Sequence, residues 1–178
     1  MKYLYSIIFL FFIIISSKSQ TLKPDSILLN ITILEQVNKM GSALLRNDLK
    51  EFVKYLDPEM IKLNGGENVM IETIKQGINE LKTYGDSIID VNFNKPSKII
   101  KINGELQCTL PQIIVMKVPN GKLITKSTLI GVSKDMGRKW FFIDCSGRNI
   151  ETLINIFPSL SKNLIIEKES QPVFFKDK

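Results

Sequence analysis

From residue 26 to about residue 46, apolar side chains recur every three or four positions, at Ile27, Ile31, Leu34, Val37 and Leu44 or Leu45. That spacing predicts a long amphipathic helix, with Asp25 placed as its N-cap. Asp48 is placed to cap a second, short helix, LKEFVKYL, in which Leu49, Phe52, Val53 and Leu56 share a face. Asp57-Pro58 ends it, because the residue before a proline is pushed out of the helical region. MIKLNGGEN then predicts a short strand over 60–64 and a glycine turn. Val69, Met70, Ile74, Ile78 and Leu81 form the stripe of a third helix, stopped by Gly85.

Beyond Gly85 the period changes to two. Ile89, Val91 and Phe93 alternate with Asp90, Asn92 and Asn94, and three hairpin signals follow: Asn103-Gly104, Asn120-Gly121 and Met136-Gly137. The pattern gives an α+β fold: three N-terminal helices packed on a four-stranded antiparallel meander, with one additional short strand. A short C-terminal helix over about 149–156, broken at Pro158, and an extended tail complete the chain. No repeat or low-complexity segment interrupts it.

The turns also set a register. Centring the first hairpin on Asn103-Gly104 places Pro96 opposite Pro111, two residues that cannot donate to a ladder. The first two turns aim the same residues of the second strand at both neighbours, a conflict that one extra residue resolves. A β-bulge near Pro111, bending the sheet, is therefore expected. Centring the last hairpin on Met136-Gly137 puts Cys145 beside Thr128, while Cys108 falls beside Ile99 and near Ser133. Two thiols that far apart cannot be bridged, so Cys108 and Cys145 are expected to be free and buried.

Composition adds a destination. The first residues, MKYLYSIIFLFFIIISSKSQ, read as a secretory signal peptide with cleavage before Gln20, because the apolar run is too short for a membrane helix. The expected divisions are a signal peptide over 1–19, a linker over 20–25, a domain over 26–147, and a helix and tail over 148–178. The exported product would be periplasmic or secreted, with no stable membrane anchor. Removing residues 1–19 takes away Lys2 and Lys18 and no acid, leaving 22 basic against 18 acidic residues. The lysines are scattered without interleaved arginines and aromatics, so nucleic acid is not an expected partner.

For chemistry the main fact is an absence: the chain has no histidine. Ser-His-Asp and Cys-His nucleophiles and imidazole metal sites are excluded, and no metal or cofactor is expected. Cys145 in RKWFFIDCSG therefore lacks an activating base. Alternation along that strand sorts Trp140, Phe142 and Asp144 to one face, and Phe141, Ile143 and Cys145 to the other. Both faces are apolar, so both are expected to be covered. An apolar pocket lined by Trp140, Phe142 and Leu129, with Asp144 as its polar point and Tyr55 and Tyr84 within reach, is the expected ligand site. A packed core without ligand fits the same residues, and Asp144 could instead cap the turn at Ser146-Gly147. LNGGEN lacks the Gly-Lys-Ser/Thr ending of a phosphate loop and need be no more than a turn.

A long helix, a short helix opening with RNDLKEF, a DP stop, a GGEN turn into a third helix, and a meander whose last strand starts at Trp140 together resemble the nuclear transport factor 2-like superfamily. The resemblance covers about 26–147. It implies a bent sheet wrapping the helices as a cone, with a pocket at the wide end, and frequent dimers. The tail FPSLSKNLIIEKESQPVFF is similar to an extension of exported bacterial members and would cover part of the sheet or pocket. Isomerase-like members place a carboxylate base on the short first strand, where this chain reads Met60-Ile61-Lys62-Leu63-Asn64 without one. The first expectation is thus a non-catalytic exported domain binding a small apolar or amphipathic ligand, or a protein partner. The alternatives are an isomerase- or hydrolase-type enzyme using Asp144 with a tyrosine, and a homodimeric accessory module.

Overall fold

Helix capping and glycine turns cut the chain into its elements at the points where side chains can replace lost backbone bonds. The computed structural model describes residues 26–168 and 170–177; the expected signal peptide, linker and Asp25 cap lie outside them. In chain order the elements are α1 (Ser26–Leu45), α2 (Leu49–Val53), α3 (Pro58–Leu63), α4 (Glu67–Thr83), β1 (Ser87–Phe93), β2 (Ile100–Ile102), β3 (Glu105–Val118), β4 (Gly121–Ser133), β5 (Phe141–Asp144), α5 (Ile150–Ile156) and β6 (Val173–Lys176). The sheet is an antiparallel meander in the order β1-β3-β4-β5, with β2 also on β3 and β6 also on β4. This is an α+β fold of helices on a curved sheet.

The buried stripe of α1 differs from the expected one. Leu29, Ile33, Val37 and Met40 are buried, whereas Ile27 and Ile31 are exposed. The reason is visible over the whole helix. Continued at helical spacing, the Ile27 and Ile31 stripe meets Glu35, Asn38 and Ser42, whereas the other runs on through Leu44. Gly41 lets α1 approach the sheet closely, since a Cβ there would lie 2.8 Å from the Phe93 ring.

The segment over 60–64, expected to be a strand, is helical. Asp57 ends α2's region, yet it also starts α3: its carboxylate accepts from the Glu59 and Met60 N–H groups at 2.9 and 3.2 Å, with Pro58 at the first helical position. A proline there is preorganised for a helix and its missing N–H costs nothing. The four N-terminal helices are therefore one more than expected. Asp48 caps α2 through Glu51 N–H at 3.1 Å, as its position implies.

The sheet register corrects two further expectations. The turn between β3 and β4 is Pro119-Asn120, one residue earlier than Asn120-Gly121, because Val118 pairs with Gly121. Asn120 has φ 66°, and a proline followed by a residue with positive φ is the sequence of a type II turn. This placement removes the parity conflict, so β3 runs unbroken and carries no bulge at Pro111. The register shift of the sheet lies instead in β1, between Ile88 and Asp90, and the pairing is separately interrupted across from Pro111. Asn94 N–H donates to the Pro111 carbonyl at 3.0 Å, but Pro111 has no N–H to return, and the first strand divides into β1 and β2. Cys108 pairs with Gly131, not near Ser133. The β4-β5 register is the expected one, with Cys145 N–H donating to the Thr128 carbonyl at 3.0 Å.

The sheet carries a core on each face. On one, α1, α2 and α4 pack over Leu106, Cys108, Leu110, Leu129, Trp140 and Phe142. On the other, Ile130, Val132, Ile143 and Cys145 are covered by Leu153 of α5 and by Phe157, Leu160 and Leu164 of the tail. Gln107, fully buried, ties that tail down: its amide nitrogen donates to the Ser159 carbonyl at 2.9 Å, and its oxygen accepts from Ser161 N–H at 2.8 Å.

Candidate functional site

On the helical face, α1 and α2 stand off the sheet just enough to leave a cavity of about 140 Å³. Met40, Gly41 and Leu44 line it from α1, Phe52 and Leu56 from α2 and its end, and Val91, Phe93, Gln112, Ile114, Leu129, Phe142 and Asp144 from the sheet. The wall is apolar apart from Gln112 and Asp144. Gln112 accepts the Ser127 hydroxyl through Oε1 at 3.0 Å. Asp144 is exposed at the end of β5, and its Oδ1 accepts both the N–H and the hydroxyl of Ser146, at 3.0 and 2.8 Å.

Of the residues singled out in the sequence, Phe142, Asp144 and Leu129 meet in this cavity. Trp140 shares their face but is fully buried in the core, where Nε1 donates to the Gly137 carbonyl at 3.0 Å. The two tyrosines are elsewhere. Tyr55 is buried with its hydroxyl donating to Glu51 Oε1 at 3.2 Å, and the Lys139 ammonium lies 5.2 Å from its ring centroid. Burial raises the Tyr55 pKa, and the Glu51 hydrogen bond adds to it. Hydrogen bonds from Lys54 and then Tyr55 lower that of Glu51. Tyr84 is 67% exposed at the end of α4. Neither tyrosine lines the cavity with Asp144.

Gln112, Met40 and Gly41 are not among the expected site residues. Met40 lies on the face of α1 that the expected stripe does not include, and Gln112 cannot be aimed with the β3-β4 turn placed one residue late. Phe52, Leu56, Val91 and Phe93 were legible as apolar faces, but only tertiary packing brings them together.

Both cysteines are free and buried, on opposite faces of the sheet. Burial pushes each thiol up to about 12, so neither is an ionised nucleophile near neutral pH. Among the described residues no group of His, Cys, Asp and Glu is gathered to hold a metal ion, and no helix is long and apolar enough to cross a membrane.

The elements run long helix, short capped helix, glycine turn into a further helix, then a meander, with α3 where the resemblance implies a short strand. No family model and no curated protein matches the chain. Among solved structures it is similar to an NTF2-like protein of unknown function from Burkholderia pseudomallei, at 16% identity and a TM-score of 0.35, over 70% of this chain and 96% of that one. It is also similar to TerC co-crystallised with polyporic acid, at 10% identity and a TM-score of 0.34, over 74% of this chain and 99% of that one. Neither likeness carries a function across.

Proposed function

We propose that the chain is an exported, non-catalytic domain that binds a small, mainly apolar ligand in the cavity between α1, α2 and the sheet. The cavity's composition carries this reading: hydrophobic walls with two polar points, Gln112 and Asp144, at the sheet end. Its volume limits the occupant. About 140 Å³ is near the roughly 150 Å³ of an apolar cavity that accepts benzene, so a single ring or short chain fits. The carboxylate of Asp144 favours a hydroxyl or amine over a ligand acid. Against the enzyme alternative, Asp144 has Ser146 as its hydrogen-bond partner, and both candidate phenols are committed or displaced.

The test is native mass spectrometry of protein purified from its own host, followed by ligand-observed NMR with single-ring alcohols and amines. Leu44→Trp puts an indole into the cavity from the partly exposed end of α1 and should abolish binding while leaving the fold intact. If no compound in the panel binds, or if the tryptophan variant binds as well as the parent, the reading is wrong.

A further inference from the structure

A second, larger cleft of about 400 Å³ opens on the opposite face of the sheet, between the end of β5, the start of α5 and the tail before β6. It coincides with a gap in the outer edge of β4. β5 covers that edge from Leu129 to Val132 and β6 covers it from Gly121 to Ile124, and among the described residues no strand pairs on that outer edge over 125–127. Backbone direction alternates along an antiparallel strand. Since the Thr128 carbonyl takes Cys145 N–H across the outer edge, the N–H and carbonyl of Lys126 face the same side, into the gap. The cleft is lined there by Thr128, which is only 3% exposed and whose Oγ1 has no hydrogen-bond partner. A buried hydroxyl left unpaired is costly, and native proteins rarely keep one without a use. Four charges, Arg148, Lys168, Glu151 and Glu167, stand exposed around the cleft, and none is in an ion pair among the described residues.

We propose that this cleft binds a short extended peptide of two or three residues, whose main chain completes the β4 ladder at Lys126 between β5 and β6. Unpaired edge groups are a template for added strand. Thr128 Oγ1 supplies one further hydrogen bond, and the two cations and two carboxylates can meet a free carboxylate and a free ammonium. The proposal is independent of the ligand cavity on the helical face.

Trialanine is the probe. Its addition should slow hydrogen exchange at the Lys126 amide, and calorimetry should give a dissociation constant that Thr128→Val raises about tenfold, the loss of one hydrogen bond. Valine keeps the shape and suits a strand, so the unliganded variant should melt no lower than the parent. Arg148→Ala, at an exposed position, gives a second variant that should also weaken binding. The proposal is overturned by unchanged Lys126 exchange at millimolar trialanine, or by equal affinity in the valine variant. It is equally overturned if sodium acetate and ethylammonium chloride alone protect Lys126, since the cleft would then take ions and not a main chain.

Discussion

Asp135 organises the loop between β4 and β5 through a single carboxylate oxygen. Oδ1 accepts from the Ser133 hydroxyl at 2.9 Å, from Arg138 N–H at 3.1 Å and from Lys139 N–H at 2.9 Å. Partial burial would push its pKa up, but the Lys139, Ser133 and Arg138 hydrogen bonds outweigh it and hold the carboxyl below the ordinary aspartate value. Because the folded-state pKa is lowered, the stabilisation is fully present above about pH 4 and is lost as pH falls through the folded value. Asp135→Asn should therefore lower the urea midpoint at pH 7, by a loss of about 1 to 3 kcal/mol. The difference between variant and parent should shrink at pH 3, and a constant difference would contradict the argument. In the same loop, Gly137 has φ 90°, and a Cβ there would collide with Leu29 of α1. The site cysteines behave in the opposite sense: with both thiols pushed up to about 12 by burial, the native protein should resist iodoacetamide at pH 8 and react only on unfolding.

Among the elements, α3 and β6 are held by few residues each, which makes them sharp tests. Asp57→Ala removes both capping bonds of α3 and should cost about 0.5 to 2 kcal/mol in denaturant unfolding. Gly121 is the position where β6 lies against β4: a Cβ there would meet the Phe175 carbonyl and the Phe174 ring. Gly121→Ala should thus free β6 alone, seen as fast amide exchange over 173–176 with the β3-β4 ladder still protected. The legibility of these elements followed how local their causes are. The Asp48 cap, the Asn103-Gly104 turn and the β4-β5 register were readable because each rests on residues a few positions apart. The α1 face was not, since two stripes have helical spacing and only the sheet selects between them. Nor was α3, where the same Asp57-Pro58 pair that stops one helix starts another. Strand alternation puts Phe142 and Asp144 on one face in advance, whereas Met40 on the helical wall depends on which stripe of α1 the sheet selects.

For the whole molecule, one sheet serves two cores, and β4 belongs to both: Leu129 packs under the helices, while Ile130 and Val132 pack under the tail. The tail is thus part of the fold and not an appendage. Gln107→Leu, which strands the Ser159 carbonyl and the Ser161 N–H inside that second core, should cost about 2 to 4 kcal/mol in the urea midpoint; a neutral result would mean that the tail is only laid on the sheet. Trp140 is the sole tryptophan and is buried with the helices, while Cys145 is buried with the tail. The protein therefore carries its own pair of clocks. Indole fluorescence times the opening of one face and alkylation of Cys145, read by peptide mass, times the other, so a stopped-flow experiment on unlabelled protein can establish whether the two faces come apart together or in sequence.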